Sequence, residues 1–285
     1  MKKVAVIGAN GQLGSELVSY FKVRGLEVAA LTHKDIEISD LDKTKDVLSA
    51  IQADAVINTA AYHNVPVCEE NPDTSFKVNA VGALNLAKLS NALHYKLVHY
   101  STDYVFDGQK RKPYLEEDAP NPLNIYALTK WDGETLIRNY CNDYFILRIS
   151  GIYGKTPCRA KGGNFINTMQ KAARERDVVK VVRDEILTPT SVAEIAKNTF
   201  SLMQTDAYDL YHMTCKGQCS WYEFAKVIFR ELKLSTPLES CLVSDFPMVV
   251  KRPTYSVLEN DKLKKINLDM MAPWDEALIT FLKEL

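Results

Sequence analysis

The chain has 285 residues, 46% hydrophobic and 25% charged, and its 35 basic against 36 acidic side chains leave a net charge of −1. This is ordinary globular material, enough for one large or two fused domains. The balanced charge gives no electrostatic footprint for nucleic acid or a membrane surface, so an anionic ligand must be held by local donors.

Met1-Lys2-Lys3 leads into only four apolar residues before Gly8, too few for a signal peptide, and no run approaches the ~20 residues that span a bilayer. A cytoplasmic, reducing setting is the expectation. Val4-Ala5-Val6-Ile7 has the apolar character of a buried strand, and Leu13, Leu17, Tyr20 and Phe21 recur with helical period up to Gly25. Between them lies Gly8-Ala9-Asn10-Gly11-Gln12-Leu13-Gly14, at the place where a dinucleotide pyrophosphate sits on helix N-terminal amides. One glycine allows the tight turn, one lets backbone approach phosphate, and one lets helix close on strand. The spacing is Gly-x-x-Gly-x-x-Gly, not the more familiar Gly-x-Gly-x-x-Gly.

Glu27 to Leu31 reads as the second strand and runs into Thr32-His33-Lys34, with Asp35 the first acid after it. A ribose-binding acid is expected about 20 residues past the glycines. With His33 and Lys34 there instead, a 2′-phosphate is tolerated, which favours NADPH over NADH without excluding NADH or a merely solvated Lys34. Asp40 has the position of an N-cap for a helix carrying Leu41, Leu48 and Ile51. Ala55-Val56-Ile57 is a third strand, ending in the small residues of Asn58-Thr59-Ala60-Ala61-Tyr62. Asn71-Pro72 opens a helical segment to about His94, and Lys96 to Tyr100 is strand, closing in Ser101-Thr102-Asp103. Asn124 to Cys141 is helix and Tyr144 to Leu147 strand. Such alternation predicts an α/β fold, a doubly wound parallel sheet of Rossmann type with helices on both faces.

The pattern loosens after Gly154. Lys155 to Gly163 reads as a basic loop, followed by helix (Phe165 to Arg174), strand (Val178 to Val182), helix (Val192 to Met203) and a strand-like Tyr208 to Met213. Ser220-Trp221-Tyr222-Glu223 is a capping box opening a helix through Leu232 with Phe224 and Ile228 inward. Pro237, Pro247 and Pro253 punctuate an irregular stretch, and Trp274 to Leu285 closes as an amphipathic helix. Residues 1–154 are read as a dinucleotide-binding domain and 155–285 as a mainly substrate-binding one, with part of 183–204 packing back on the first. The six cysteines are scattered. Cys215 and Cys219 have three residues between them and His212 nearby, but lack a Cys-x-x-Cys knuckle, so thiols without a metal are expected.

Tyr126 and Lys130 stand four residues apart in the helical segment, hence on one face about 5–6 Å apart at Cβ. A lysine beside a tyrosine favours the phenolate, so the phenol can trade a proton near neutral pH. Thr102 ends a strand on the ligand edge of the sheet and can bring a hydroxyl beside that phenol. Asp103 can accept from a sugar hydroxyl or fix the Tyr104 loop.

Gly8 to Gly14, Ser101-Thr102-Asp103-Tyr104-Val105-Phe106-Asp107-Gly108, Asn121-Pro122-Leu123-Asn124-Ile125-Tyr126 and Lys130 resemble the extended short-chain dehydrogenases/reductases, most of all the dTDP-4-dehydrorhamnose reductases. The likeness continues through Asn164-Phe165, Pro189-Thr190, Ser220 to Ala225 and Arg252-Pro253. It implies Tyr126 as proton donor, Lys130 as the residue holding the nicotinamide ribose, and Thr102 on the substrate carbonyl oxygen. Gly8, Asn10, Gly11, Gln12, Leu13 and Gly14 are placed around the pyrophosphate, and Ala60, Ala61, Tyr62 and Asn79 beside the cofactor. Glu37-Ile38 matches an acid-hydrophobic pair near the adenine. Thr102, Asp103, Asn164 and Arg252 are implied substrate contacts, and Lys155, Arg159 or Lys161 are candidate partners of the nucleotide diphosphate. Three departures stand out: Gly151 follows Arg148-Ile149-Ser150 where the family has a Trp against the sugar, Pro66 stands for an Asp, and Cys68 for an Ala.

The implied reaction is NADPH-dependent reduction of the C4 ketone of a 6-deoxy-4-keto sugar on a nucleotide diphosphate, with dTDP-4-dehydrorhamnose to dTDP-rhamnose as the leading case. A nucleotide-sugar epimerase or dehydratase, or a non-catalytic regulatory subunit, shares the fold. Relatives are monomers or homodimers, some with a divalent metal at the interface, and no metal motif is seen here.

Overall fold

The computed structural model describes residues 1–158, 162–247 and 249–285. Its first half runs β1 (Lys3–Ile7), α1 (Gln12–Val23), β2 (Glu27–Leu31), α2 (Leu41–Ile51) and β3 (Ala55–Asn58). The side chains of Val4 to Ile7 and Ala55 to Ile57 are buried because helices cover both faces of the sheet. Asp40 caps α2, its carboxylate accepting from the Lys43 N–H at 3.2 Å.

A separate α3 (Val65–Glu70) comes first, and the long helix expected from Asn71 then runs unbroken as α4 (Pro72–Phe76), a π-helical turn over Lys77–Val81 and α5 (Gly82–Leu93). The wide turn lies where α6 (Ile125–Tyr140) presses closest: a Cβ on Gly133 would sit 2.5 Å from the Asn79 carbonyl oxygen. A π turn inside a helix often marks a functional site, and this one carries Asn79. Between α5 and α6 run β4 (Lys96–Thr102) and a 3₁₀ turn (Asp103–Val105); β5 (Tyr144–Ile149) follows α6. Asn124 caps α6, accepting from the Ala127 N–H at 2.9 Å.

The second half contains β6 (Ile152–Tyr153), α7 (Phe165–Glu175), β7 (Val179–Val182), β8 (Ile186–Leu187), β9 (Thr190–Ser191), α8 (Val192–Met203), β10 (Asp209–His212), β11 (Cys219–Ser220), α9 (Trp221–Glu231), β12 (Leu238–Cys241), α10 (Asp261–Lys265) and α11 (Trp274–Lys283). The capping box is formed: Ser220 Oγ accepts from the Glu223 N–H at 3.1 Å and Glu223 Oε2 from the Ser220 N–H at 2.7 Å.

One parallel sheet organises the molecule in the order β2-β1-β3-β4-β5-β10. The strand order reverses at β1, between β2 and β3, and in such a sheet ligands bind beyond the carboxyl ends of the strands at that point. Residues of α8 (Val192, Ile195, Ala196, Leu202 and Met203) share one core with α1 and the sheet, and β10 forms the sheet's last strand. A distinct core joins α7, β7, α9 and α11 through Ile166, Val179, Phe224, Ile228 and Leu278. Cys68, Cys141, Cys215, Cys219 and Cys241 are buried free thiols, and Cys158 is half-buried. Among the described residues no helix is long and apolar enough to cross a membrane.

Candidate active site

The glycine turn leaves β1 and enters α1 directly. Gly8 has φ +80°, and its N–H and that of Ala9 both donate to the Leu31 carbonyl at 2.9 and 3.0 Å. A Cβ on Gly14 would stand 2.2 Å from the Gly8 carbonyl oxygen, so only glycine lets α1 close on the turn. Gly11 is the N-cap without a side-chain hydrogen bond, and the first turn of α1 holds no acid. Its amide ends and dipole are therefore free to receive an anion. Asn10 is exposed at the tip, while Leu13 is buried in the core beneath.

Gln12 points away from the open end of the turn. Its Nε2 donates to the Ile152 carbonyl at 3.1 Å and its Oε1 accepts from Asn164 Nδ2 at 3.1 Å. Asn164 also donates to the Gly154 carbonyl at 3.0 Å and caps α7 by accepting from the Asn167 N–H at 3.1 Å. The Asn164 amide is thus occupied within the protein, joining α7 to the phosphate turn.

At the end of β2, Asp35 turns back and its carboxylate accepts from the Thr32 N–H and hydroxyl at 2.8 and 2.7 Å. His33 and Lys34 are left exposed, His33 Nδ1 lying 3.5 Å from Glu37 Oε2. Ile38 is buried over Gly82, where a Cβ would meet it at 2.7 Å, and Asn85 donates to its carbonyl at 2.9 Å.

The segment after β3 passes close to the turn: a Cβ on Gly8 would meet Thr59 Oγ1 at 2.5 Å and the Ala60 nitrogen at 3.0 Å. Ala60 and Ala61 are half-buried there. Asn79 clamps Tyr62, accepting from its N–H and donating to its carbonyl, both at 2.9 Å, and donates to Thr129 Oγ1 at 3.0 Å. Asn79 therefore acts on this segment through the Tyr62 backbone.

Thr102, at the carboxyl end of β4, sets its hydroxyl beside the Tyr126 hydroxyl and acts on it. Its hydroxyl also meets Asp103 Oδ1 at 3.1 Å, and Asp103 accepts from Ser150 Oγ at 2.8 Å. Burial pushes the Tyr126 phenol above its ordinary range; the Thr102 hydroxyl opposes this, and the Asp103 charge and nearby Cys68 add to it. The expectation that Lys130 eases this phenol's ionisation is not met in the ligand-free chain. Burial pushes Lys130 down to about 8, with Glu134 opposing, so its ammonium is itself disfavoured there.

Lys130 instead meets two residues that the motifs did not single out. Its Nζ is 3.0 Å from His99 Nε2, and His99 Nδ1 is 3.0 Å from Asn58 Nδ2. Asn58 of β3 pairs in register with His99 of β4, so the chain runs from α6 across two neighbouring strands. The available signal was a polar residue in each of two otherwise apolar strands.

Tyr104 packs edge-on against Tyr126, ring centroids 6.2 Å apart. The charge of Arg252 acts on both Tyr104 and Glu185, and Glu185 accepts from the Trp221 indole; burial nevertheless raises the Glu185 carboxyl. Arg252 thus stands exposed near the Tyr104–Tyr126 pair. Lys155 faces elsewhere, paired with Glu284 at 2.9 Å, and Arg159 and Lys161 lie outside the described residues. Gly151 has φ +51°, and a Cβ there would meet Leu187 Cδ1 at 2.7 Å, so Leu187 fills the space over it. Pro66 occupies the first turn of α3, and Cys68 donates to the Tyr62 carbonyl at 3.4 Å.

A family model described as the RmlD substrate binding domain matches residues 1–285. A spore coat polysaccharide biosynthesis protein of Bacillus subtilis (strain 168), SpsK, is 38% identical over 284 residues, 100% of this chain and 98% of that one. A solved dTDP-4-dehydrorhamnose reductase from Clostridium acetobutylicum superposes with TM-score 0.95 at 36% identity, covering 99% of both chains. One from Bacillus anthracis str. Ames, in complex with NADP, has TM-score 0.95 at 35% identity over 100% of both. With the Rossmann sheet, its glycine turn and a match running from end to end, the chain belongs to the dTDP-4-dehydrorhamnose reductase family.

Proposed function

We propose that the protein reduces the C4 ketone of a nucleotide-diphosphate 6-deoxy-4-keto sugar, dTDP-4-dehydrorhamnose, to the corresponding alcohol with NADPH. The observation that carries this reading is the placing of the Thr102 hydroxyl beside the Tyr126 phenol at the carboxyl end of the central sheet, next to an uncapped glycine turn. It is supported by relatives named for this reaction and by the neighbour solved with NADP.

The residues fit a dinucleotide. At Gly8 and Gly14 the turn closes too tightly to admit a Cβ, and the first-turn amides of α1 would receive the pyrophosphate. Ala60 to Tyr62 offer small side chains and backbone beside it, Lys130 a donor for the ribose, and His33 and Lys34 positive charge for a 2′-phosphate. When bound, the cofactor supplies the hydride.

Tyr126 keeps its proton in the resting protein because burial disfavours the phenolate. That makes it an acid able to donate to an oxygen on which negative charge develops. Thr102, whose hydroxyl donates to Asp103 Oδ1 at rest, would turn that hydrogen to the same oxygen as a second donor. Asp103, held by Ser150, fixes Thr102 and the turn after β4. Arg252 offers its charge to the sugar nucleotide at the mouth.

The test is incubation with dTDP-4-dehydrorhamnose and NADPH, following reduced-nicotinamide absorbance and identifying the product. Stoichiometric loss of NADPH with formation of dTDP-rhamnose is expected. A stereoisomer formed without net NADPH loss, or no turnover of this sugar, would overturn the assignment.

A further inference from the structure

The contact between Lys130 and His99 has a fixed polarity. The Ala60 N–H donates to Asn58 Oδ1 at 3.1 Å, which orients the Asn58 amide and leaves only its NH₂ to face His99 Nδ1 at 3.0 Å. An NH₂ group cannot accept, so Nδ1 must. Burial holds His99 neutral, which puts the ring's single hydrogen on Nε2. Nε2–H points at Lys130 Nζ, 3.0 Å away. An ammonium has no lone pair to accept that hydrogen, whereas a neutral amine has one. All three side chains are at most 2% exposed, so water does not substitute for the missing acceptor.

We propose that Asn58 and His99 form a polarised relay that positions Lys130 and favours its neutral amine over the ammonium until a ligand with acceptor oxygens enters the cleft. The inference rests on the reading above for its ligand, a dinucleotide with ribose hydroxyls. Binding then favours the ammonium: Nζ takes one proton from solvent, its bond from His99 Nε2–H breaks, and new N–H donors face the ligand. Proton uptake is thereby coupled to binding at mildly alkaline pH, and the positive charge beside Tyr126 is fully established once the site is filled. His99 and Asn58 are positioning residues, acting through Lys130.

The other groups around Lys130 do not impose this state. On its own helix Glu134 favours the ammonium, but it is paired with Arg148 of β5 through two bonds of 2.9 and 2.6 Å. Tyr126, also on α6, is neutral, and Asp103 acts on Tyr126 from the turn after β4. From the helices packed on α6, Cys68 acts on Tyr126, Glu69 accepts from the Ile125 N–H at 2.7 Å, and Lys77 acts on Glu37. His99 is the neighbour that donates to Nζ.

The experiment is an NMR pH titration of the ligand-free protein labelled with ¹³C at lysine Cε, Lys130→Arg assigning the resonance. Lys130 is expected to titrate at about 8. In Asn58→Asp a carboxylate accepts from Nδ1–H, the ring reverses, and Nε2 accepts from the ammonium; titration should move up by about one unit or more. His99→Gln, whose carbonyl oxygen can accept, should move it the same way and covers failure of the first variant to fold. An ordinary lysine titration in the unsubstituted protein, or one unmoved in every folded variant, overturns the relay. Calorimetry of NADPH binding near pH 8, in buffers of different ionisation enthalpy, should show uptake of about half a proton, reduced in Asn58→Asp. Equal uptake in both proteins overturns the coupling, whereas absent NADPH binding with a depressed, variant-sensitive Lys130 overturns the cofactor reading and leaves the relay standing.

Discussion

Asn164 donates its side-chain amide to Gln12 Oε1 at 3.1 Å, tying the cap of α7 to the first turn of α1. The turn proposed to cradle phosphate is therefore braced by the second half of the chain. Asn164→Ala removes this bond, the bond to the Gly154 carbonyl and the helix cap together. A loss of about 2–3 kcal/mol in unfolding free energy is expected from a urea titration. Gln12→Ala, which keeps the cap, should cost less.

Gly14→Ala tests the turn itself. Its Cβ would stand 2.2 Å from the Gly8 carbonyl oxygen, so α1 must back away from the turn. Dinucleotide affinity is expected to fall at least about tenfold, with a stability loss of roughly 1–3 kcal/mol. Unchanged affinity by fluorescence titration would remove the turn from the binding site.

Tyr126→Phe deletes the phenolic proton while keeping the ring that packs edge-on against Tyr104. Turnover should drop by about 10²–10⁴-fold with NADPH affinity nearly kept. Thr102→Val, which loses the second donor, is expected to lower turnover by about 10²-fold or more. Steady-state kinetics with parallel binding measurements separate the two effects.

Cofactor choice is assigned to the exposed end of β2. Lys34→Ala should weaken NADPH by roughly three- to tenfold and leave NADH nearly unchanged, since a solvated charge contact is worth about 1 kcal/mol. Equal losses for both cofactors would place Lys34 away from the 2′-phosphate.

His212 supplies a pH dependence independent of the active site. It is buried, its Nδ1 faces the Tyr114 and Glu259 carbonyls at 3.1 Å each, and burial first, then the Arg148 charge, holds it well below its usual pKa. The folded-state value lies below the unfolded one, so as pH falls through about 6.5 the unfolded chain binds a proton that the folded chain refuses. Stability from this group is present above that pH and lost below it, at up to about 1.4 kcal/mol per unit. Buried Asp103 and Glu116, whose pKa values are raised, act in the opposite sense. The comparison is therefore between proteins: denaturant titrations from pH 7 to 5 should fall less steeply for His212→Gln than for the unsubstituted chain.

The elements that periodicity specifies are those whose apolar faces meet the main core. Val192–Met203 occupies its expected bounds, and β1, β3 and β5 appear as short apolar runs because a doubly covered parallel sheet asks for nothing else. Local chemistry was equally legible in the caps at Asp40 and Ser220, where a side chain answers a backbone amide within three residues. The short strands after Gly151 were not legible, since two-residue pairings such as Ile152–Thr190 carry no period of their own.

In the candidate site the same division holds. The sequence by itself determined the glycine turn, the order of Thr102, Tyr126 and Lys130, and the strand ends that carry them, because these depend on neighbours in the chain. Tertiary structure alone decided what each side chain meets: Asn164 on Gln12, Asn79 on the Tyr62 backbone, Leu187 over Gly151 and His99 on Lys130. It also weakened the expected influence of Lys130 on Tyr126, which burial outweighs. Helical spacing brings a lysine to a tyrosine's face, but burial decides how much of its charge is there to be felt.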